Sequence, residues 1–533
     1  MFYQLLIAFA LVAALDSAVY DVVVYGGTSS GVIAAVQASK MGKSVLLISP
    51  GSHLGGMTSS GLGWVDVGNP HTIGGLAREF FHHAWLFYKN PAAWHWESMR
   101  PIKGQLMNFP KEEVMWVVEP HVAEEIFDAM VEKARIPVLF QQRLERKNGV
   151  RKVGARIVSI QMESGLAFEG KIFIDATYEG DLMASSGISY VIGRESRQKY
   201  GESFNGANTQ IRKHIHKKSI DPYVIPGVPE SGLLPRIYSL DPQEKGDCDT
   251  CIQAYNYRMC LTDVPENRIL IAKPDDYDES EYELVFRAIK GGFSHLSFFK
   301  LDLLPNRKTD SNNNGLVSTD YIGMNWQYPE ADYETRDKIA KAHERWQRGL
   351  VWTLQNHPRV PPNIRKFYAP WGLPKDEFID NDHWPFQLYV REARRMVGSG
   401  VVTEHTALGK EPVADPVGMS SYELDSHYVK YICHEGCLTS EGGVYTKVPA
   451  PFKISYRALI PKKKECENLL VPVCLSASHV GYGSVRMEPI YMILGQSAAT
   501  AASLCIDHNV AVQDLPYDTL KKRLLDDKQI LKR

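Results

Sequence analysis

Cysteine is scarce, with eight in 533 residues. Disulfides are therefore not the frame of this fold, as they are in small secreted domains that lack a core. The cysteines do cluster: Cys248-Asp249-Thr250-Cys251 is followed by Cys260, and Cys433 by Cys437. In an oxidising lumen these groups offer surface bridges, but no partner pair stands at finger spacing, so no metal site is expected. No thioredoxin-like context surrounds Cys248 and Cys251 to make them a redox pair. Neither sign of charge is in excess, with 60 Lys+Arg against 62 Asp+Glu, which leaves no field to draw nucleic acid or an anionic membrane. The clearest basic run, Arg212 to Lys218, reads as a solvated loop. No apolar run reaches the roughly 20 residues that cross a bilayer, so no stable membrane span is expected. The nearest approach, Leu5 to Leu15, reads as a secretory signal over residues 1–18 with cleavage near Ala18, although no Lys or Arg precedes it and Asp16 lies close to the cut. The expected location is outside the cell or in the secretory lumen. The absence of an Asn-X-Ser/Thr sequon weighs slightly against that. No internal repeat is visible.

What is present is an ordinary globular composition, 44% hydrophobic and 23% charged, on a chain too long for one core. The most informative stretch is Tyr20 to Pro50. The strand Tyr20 to Tyr25 runs into Gly26-Gly27-Thr28-Ser29-Ser30-Gly31, then a small-residue helix from Val32 to Met41, then the strand Ser44 to Ser49. This is the first βαβ unit of a dinucleotide-binding fold, in which a tight turn brings backbone N–H groups and a helix N-terminus onto a pyrophosphate. Two positions depart from the fingerprint. Thr28 stands where the middle glycine belongs, and Ser49 stands where an acidic residue would hold the adenosine ribose. A serine oxygen still accepts a hydrogen bond, without the charge assistance.

Beyond the second strand lies the glycine-rich loop Gly51 to Gly63, a backbone able to approach a ligand closely. Helices are expected over Leu76 to Phe87, from Glu119-Pro120 to Ala134, over Tyr333 to Thr353, over Gln387 to Val397 and over Arg486 to Ile506. Short strands are expected at Pro137 to Gln141, Gly154 to Gln161, Lys171 to Ile174 and Asn468 to Val473. The strand before Asp175-Ala176-Thr177 ends at another turn into a helix. These features predict an α/β chain: a Rossmann-like FAD-binding domain made of residues 19–193 and closed by 457–533, with a mixed α+β substrate or cap domain at 194–456. The loop at Gly55-Gly56, the turn at 175–181 and the closing helix suit a long ligand, which favours FAD over NAD. No second glycine-rich unit is present for a nicotinamide.

The segments YDVVVYGGTSSGVIAA, HLGGMTSSGLGWVD, EPHVAE, FIDATYEGDLMASSGISYVIGRES, QAYNYRMCLT, STDYIGMNW, YVREARRMVG and LSASHVGYGSVRMEPIYMILGQSAA resemble the family of FAD-dependent oxidoreductases with a single dinucleotide fold. They spread from about residue 20 to 506. The resemblance implies FAD contacts at Gly26, Gly27, Thr28, Ser30, Gly31, Gly55, Gly56, Met57, Ala176 and Thr177, with the closing helix contributing near Arg486 and Met487. It supplies the cofactor far better than the substrate. The strand at 469–473 lacks the Gly-Asp that often follows to bind the ribityl chain.

Arg486, at the expected helix start, would place a guanidinium and a dipole near the flavin N1, or serve only as a salt-bridged helix-start residue. His479 and Tyr482 precede that helix, where His479 would act as general base or simply shape the loop. His53 beside Gly55-Gly56 would contact the flavin, carry it covalently, or support the loop. Arg391, Arg394 and Arg395 would hold a substrate carboxylate or form an ion-paired helix face. Trp94, Trp96 and Trp116 would form a stacking platform or belong to a core. The functional expectation is oxidation of a small organic substrate by hydride transfer to FAD, with oxygen or another acceptor reoxidising it. Two alternatives stand beside it: a lyase or hydrolase using His and Tyr on the same scaffold, and a cofactor-free binding protein. Oligomeric state is not read from the sequence.

Overall fold

Strand β1 (Val19–Tyr25) is the spine of the molecule, with Val22, Val23 and Val24 fully buried. A run that is apolar on both faces belongs in the middle of a parallel sheet covered on both sides. The computed structural model describes residues 18–99, 113–211, 220–240 and 245–533. Residues 1–17 of the expected signal segment 1–18, and the basic run Arg212 to Lys218, lie outside the described residues.

Helix α1 (Ser29–Lys40) returns the chain to β2 (Val45–Ile48), parallel to β1. Helices α2 (Gly75–Tyr88) and α3 (Pro120–Lys133) follow, the latter with Pro120 in its first turn. Strands β3 (Val138–Leu139), β4 (Val150–Val153), β5 (Arg156–Gln161) and β6 (Ala167–Asp175) complete the order β3-β2-β1-β6-β5-β4. After the long excursion that carries helix α4 (Tyr333–Asn356), strand β7 (Leu469–Leu470) adds to β6 in parallel. β6 is thus shared: its first residues pair with β5, while Phe173 and Ile174 pair with β7. The last long helix, α5 (Glu488–His508), lies on α1. A Cβ at Gly495 would fall 2.3 Å from the Ser30 carbonyl, so the two backbones meet without a side chain between them. Among the described residues α5 alone is long and apolar enough to cross a membrane, and 89% of that window is buried in the fold, as in a core helix.

The chain between the two halves of this sheet forms small sheets of two or three strands, such as Met259–Thr262 with Lys308–Ser311 and Asp302–Leu303, and Ile237–Ser239 with Lys430–His434 and Cys437–Glu441. The architecture is α/β, with a discontinuous Rossmann-like unit and a mixed α+β unit. One expected helix is absent: Gln387 to Val397 is irregular, and only Arg395–Met396 pairs as a strand, with Tyr190–Val191. Its arginines are spent inward in different directions, a pattern that no single helix face can satisfy. Helix α5 begins at Glu488, two residues after Arg486.

His343, fully buried on α4, bonds the Ile339 carbonyl through Nδ1 at 2.8 Å, and burial lowers its pKa to about 4. The unfolded chain therefore binds a proton below about pH 6.5 that the native chain refuses. This group is expected to lower stability as pH falls from there through about 4. Thermal melts of wild type and His343→Phe over that range should differ in slope, with the variant flatter; parallel slopes would refute the assignment.

Candidate active site

One cavity lies at the carboxyl ends of the parallel strands, where open α/β sheets bind ligands, and a second lies beyond it. The first, of about 320 Å³, is walled by Gly26, Gly27, Thr28, Ser49, Gly56 and Thr177, with His53, Tyr178, Glu179, Phe386 and Gln387 around it. Its floor is a turn that admits no side chains. A Cβ on Gly31 would sit 1.8 Å from the Gly26 carbonyl oxygen, and one on Gly26, whose φ is +119°, 2.7 Å from the Ala176 carbonyl carbon. Gly27 approaches the Ser49 hydroxyl as closely. Thr28 explains its own departure from the fingerprint. Its hydroxyl accepts from Gly31 N–H at 3.2 Å, capping α1, and donates to the Ala176 carbonyl at 2.7 Å, tying the two strand ends together. The turn, the uncapped amides of the first helical turn and the cavity above them fit a diphosphate.

The other sequence-selected positions divide. Gly31, Gly55 and Ala176 back the cavity wall rather than line it. Met57 is buried and donates its N–H to the Tyr178 hydroxyl at 2.9 Å. The Ser30 hydroxyl is turned toward Gly495 of α5 and has no hydrogen-bond partner there. Met487 is the buried N-cap position of α5. Sequence reasoning missed Glu488. Its carboxylate, 3% exposed, accepts from Ser29 at 2.6 Å, Thr58 at 2.8 Å and Tyr178 at 2.7 Å, joining the starts of α1 and α5 to the glycine loop and the turn after β6. Burial without a cation raises its pKa. A Glu at the start of a helix reads as a dipole partner, so nothing local signals this role.

His53 stacks on Phe386 at 4.0 Å and bridges Glu124 at 2.8 Å and Asp380 at 3.4 Å. Burial disfavours its charge, but Glu124, Asp380 and Asp128 outweigh that and raise its pKa. A raised imidazole stabilises the fold below its unfolded pKa and loses that contribution as pH rises through the folded value. Amide protection factors in residues 378–387, with exchange corrected for its intrinsic base catalysis, should fall with rising pH in wild type and stay level in His53→Gln. Equal profiles would sink the clasp.

The second cavity, of about 490 Å³, lies beside the first; Gln387 lines one and Tyr389 the other. Its walls include Arg258, Tyr389, Tyr422, Asp425, His427 and Arg486. Arg486 therefore belongs here. Its Nη1 donates to the Tyr389 hydroxyl at 2.9 Å and its Nε to the Asp425 carbonyl at 3.1 Å. His427 holds Asp320 through Nδ1 at 3.0 Å, and Asp320 is paired behind it with Arg391 at 2.8 Å. Accepting that bond fixes the proton on Nδ1, so Nε2 keeps its lone pair, 3.9 Å from Asp425. Burial and then Arg391 lower the His427 pKa, leaving a neutral imidazole at pH 7. Sequence reading did not single out His427, because Asp320 lies 107 residues away.

His479 and Tyr482 line neither cavity. His479 is 1% exposed, with Nε2 on Ser426 at 2.9 Å and Nδ1 on Glu392 at 3.0 Å, and burial depresses its pKa to about 3. Tyr482 donates to the Val473 carbonyl at 3.1 Å and meets Tyr491 at 2.8 Å. They lie on a short buried helix, His479–Tyr482, which seals them from substrate. The carboxylate clamp expected from Arg391, Arg394 and Arg395 is likewise consumed internally. These residues pair with Asp320, with Asp181 and Glu330, and with Glu195 and Glu392. Trp94 and Trp116 are core residues, and Trp96 bonds Asp376 at 3.1 Å. Glu119, His121 and Glu377 converge as metal ligands would, but the Lys308 ammonium stands among the carboxylates, 2.9 Å from Glu119 and 2.6 Å from Glu377. All eight cysteines are free thiols.

A model of the family described as FAD dependent oxidoreductase matches residues 21–524. A search of curated proteins finds no match. Similar solved structures include Thermovibrio ammonificans THI4 (16% identity, 36% of this chain and 73% of that one, TM-score 0.25). L-proline dehydrogenase from P. horikoshii (15%, 33% and 58%, TM-score 0.23) and OxyS anhydrotetracycline hydroxylase from Streptomyces rimosus (15%, 34% and 36%, TM-score 0.22) are two others. The first three structures compared are covered over 36%, 36% and 43% of their own length. At these scores they carry no argument about this chain.

Proposed function

The chain belongs to the FAD-dependent oxidoreductase family, and on that premise we propose that it oxidises a small polar molecule held in the second cavity, with His427 as the base. Gly26, Gly27, Thr28, Gly56 and Thr177 would hold the FAD diphosphate, Ser49 the adenosine ribose, and Gly31, Gly55, Met57, Ala176 and Met487 would shape the seat around them. Bound FAD supplies hydride acceptance at N5. The rest is the work of side chains. Arg486 and Tyr389 orient the substrate, the buried walls limit water, and Nε2 of His427 takes the substrate proton while Asp320 steadies the resulting imidazolium.

The observation that carries this reading is His427, backed by Asp320, on the wall of a cavity that adjoins the glycine cradle. A lyase or hydrolase working through His479 and Tyr482 is not favoured, since neither residue lines either cavity. Oxygen or another acceptor would complete the cycle. We propose a secreted or lumenal location from Leu5 to Leu15 alone; a mature N-terminus starting near residue 19 after expression in a secreting host would support it, and retained residues 1–18 would refute it. For the activity, the test is anaerobic mixing of yellow purified protein with candidate substrates. Loss of the oxidised flavin band supports oxidation, and turnover with the band unchanged refutes it.

A further inference from the structure

The second cavity has a donor and an acceptor left over. Among the described residues, Arg486 Nη2 and Asp425 Oδ1 are buried without hydrogen-bond partners; Nη2 is ion-paired with the other carboxylate oxygen, Asp425 Oδ2, at 3.3 Å. Arg486 is 2% exposed, so no bulk water answers for it. Unpaired buried polar atoms are costly, and a donor and an acceptor left together on a cavity wall point to a group that would satisfy both.

The chemistry of that ligand follows from what the other groups have already spent. A carboxylate would need an arginine fork. Arg258 gives its Nε and Nη2 to Asp310 at 2.7 and 2.6 Å, and Arg486 has committed its Nε and Nη1 and faces Asp425 Oδ2 with Nη2, so neither offers a free fork. An ammonium would need several acceptors around one nitrogen. Asp66 already accepts from the Tyr422 hydroxyl at 3.0 Å and Asp425 is ion-paired with Arg486 at 3.3 Å, so two of the three lining acids are already engaged. The lining charges also balance, with Arg258, Lys300 and Arg486 against Asp66, Glu423 and Asp425. A hydroxyl group donates and accepts from a single neutral atom. Gln210, Asn312 and Asn313 line the same space with amides of the same dual character, and Tyr389, Tyr422 and Tyr445 add ring surface. The volume, about 490 Å³, is within the ordinary range for a small ligand.

From this geometry we infer that the second cavity takes a neutral polyhydroxylated molecule, a sugar or alditol, with one hydroxyl set against the Arg486–Asp425 pair, donating to Asp425 Oδ1 and accepting from Arg486 Nη2. The inference rests on the proposed site but concerns binding, and is tested separately from oxidation. Isothermal titration of the full-length holoprotein with myo-inositol, D-sorbitol and methyl glucoside should give saturable binding, while L-lactate, glycolate and L-alanine should bind at least about tenfold more weakly. Asp425→Asn should weaken the best polyol by about tenfold or more, the cost of losing a charged acceptor, with the flavin spectrum unchanged. Polyol binding without flavin reduction would leave the inference standing and refute the oxidation proposal. Tighter binding of lactate, glycolate or alanine, no binding of any probe, or unchanged affinity in Asp425→Asn in folded protein would each overturn it.

Discussion

Gly31→Ala protein is expected to emerge colourless and destabilised by more than about 4 kcal/mol, in the tail of single-substitution effects. The added methyl would stand 1.8 Å from the Gly26 carbonyl oxygen, and that partner is backbone, with no rotamer to escape into. Relief requires the turn to open, which moves the α1 amides away from the cavity. It also separates Thr28 from the Ala176 carbonyl, which it now bonds at 2.7 Å. Gly51→Ala is the matched comparison. Gly51 lines the same cavity, yet a Cβ there meets nothing within 4 Å and needs no left-handed backbone. It should keep its flavin and melt within a few degrees of wild type. Absorbance at the flavin band of the purified proteins measures retention, and urea denaturation followed by far-ultraviolet circular dichroism measures stability. A yellow Gly31→Ala, or a colourless Gly51→Ala, would dissolve the link drawn here between turn geometry and cofactor retention.

The contrast between these glycines shows which parts of the molecule the sequence could reveal. The βαβ unit was legible because its determinants are contiguous: apolar runs, spacing and glycine all act within thirty residues. The close approach of α5 to α1 was legible for a related reason, since Gly495 and the alanines around it announce a helix pressed on a neighbour. The segment 387–397 was not, because helical spacing says nothing about where charges go. Arg391, Arg394 and Arg395 each travel to a different carboxylate, and those partners lie at 181, 195, 320, 330 and 392. His479 misled by position. A histidine in a loop before the closing helix looks available, but Ser426 and Glu392 claim both nitrogens. The residues that replace it, His427 and Asp320, meet only when two distant stretches of the middle region fold together. Long-range pairs of polar residues leave no periodicity behind.

His427→Ala is expected to lower the rate constant for flavin reduction by about 10²–10⁴, the range for losing a positioned base, while leaving the bound flavin and its spectrum intact. His427 touches nothing in the glycine cradle, so cofactor loss is not part of the expected phenotype. The pH profile separates a base from a structural imidazole. Because burial and Arg391 hold its pKa below the usual histidine range, wild-type reduction should be level around neutrality and fall only on the acid side, where Nε2 gains a proton. His427→Ala should lose that acid limb as well as the rate. Asp320→Asn is the less clean probe, since it strips the carboxylate from Arg391 and leaves a buried guanidinium uncompensated, at a cost of about 3–5 kcal/mol. Stopped-flow reduction of His427→Ala across pH is therefore the decisive measurement. A variant that keeps the acid limb would move the proton acceptor to another group, and Asp425, whose Oδ1 lies 3.9 Å from Nε2, would be the next to replace.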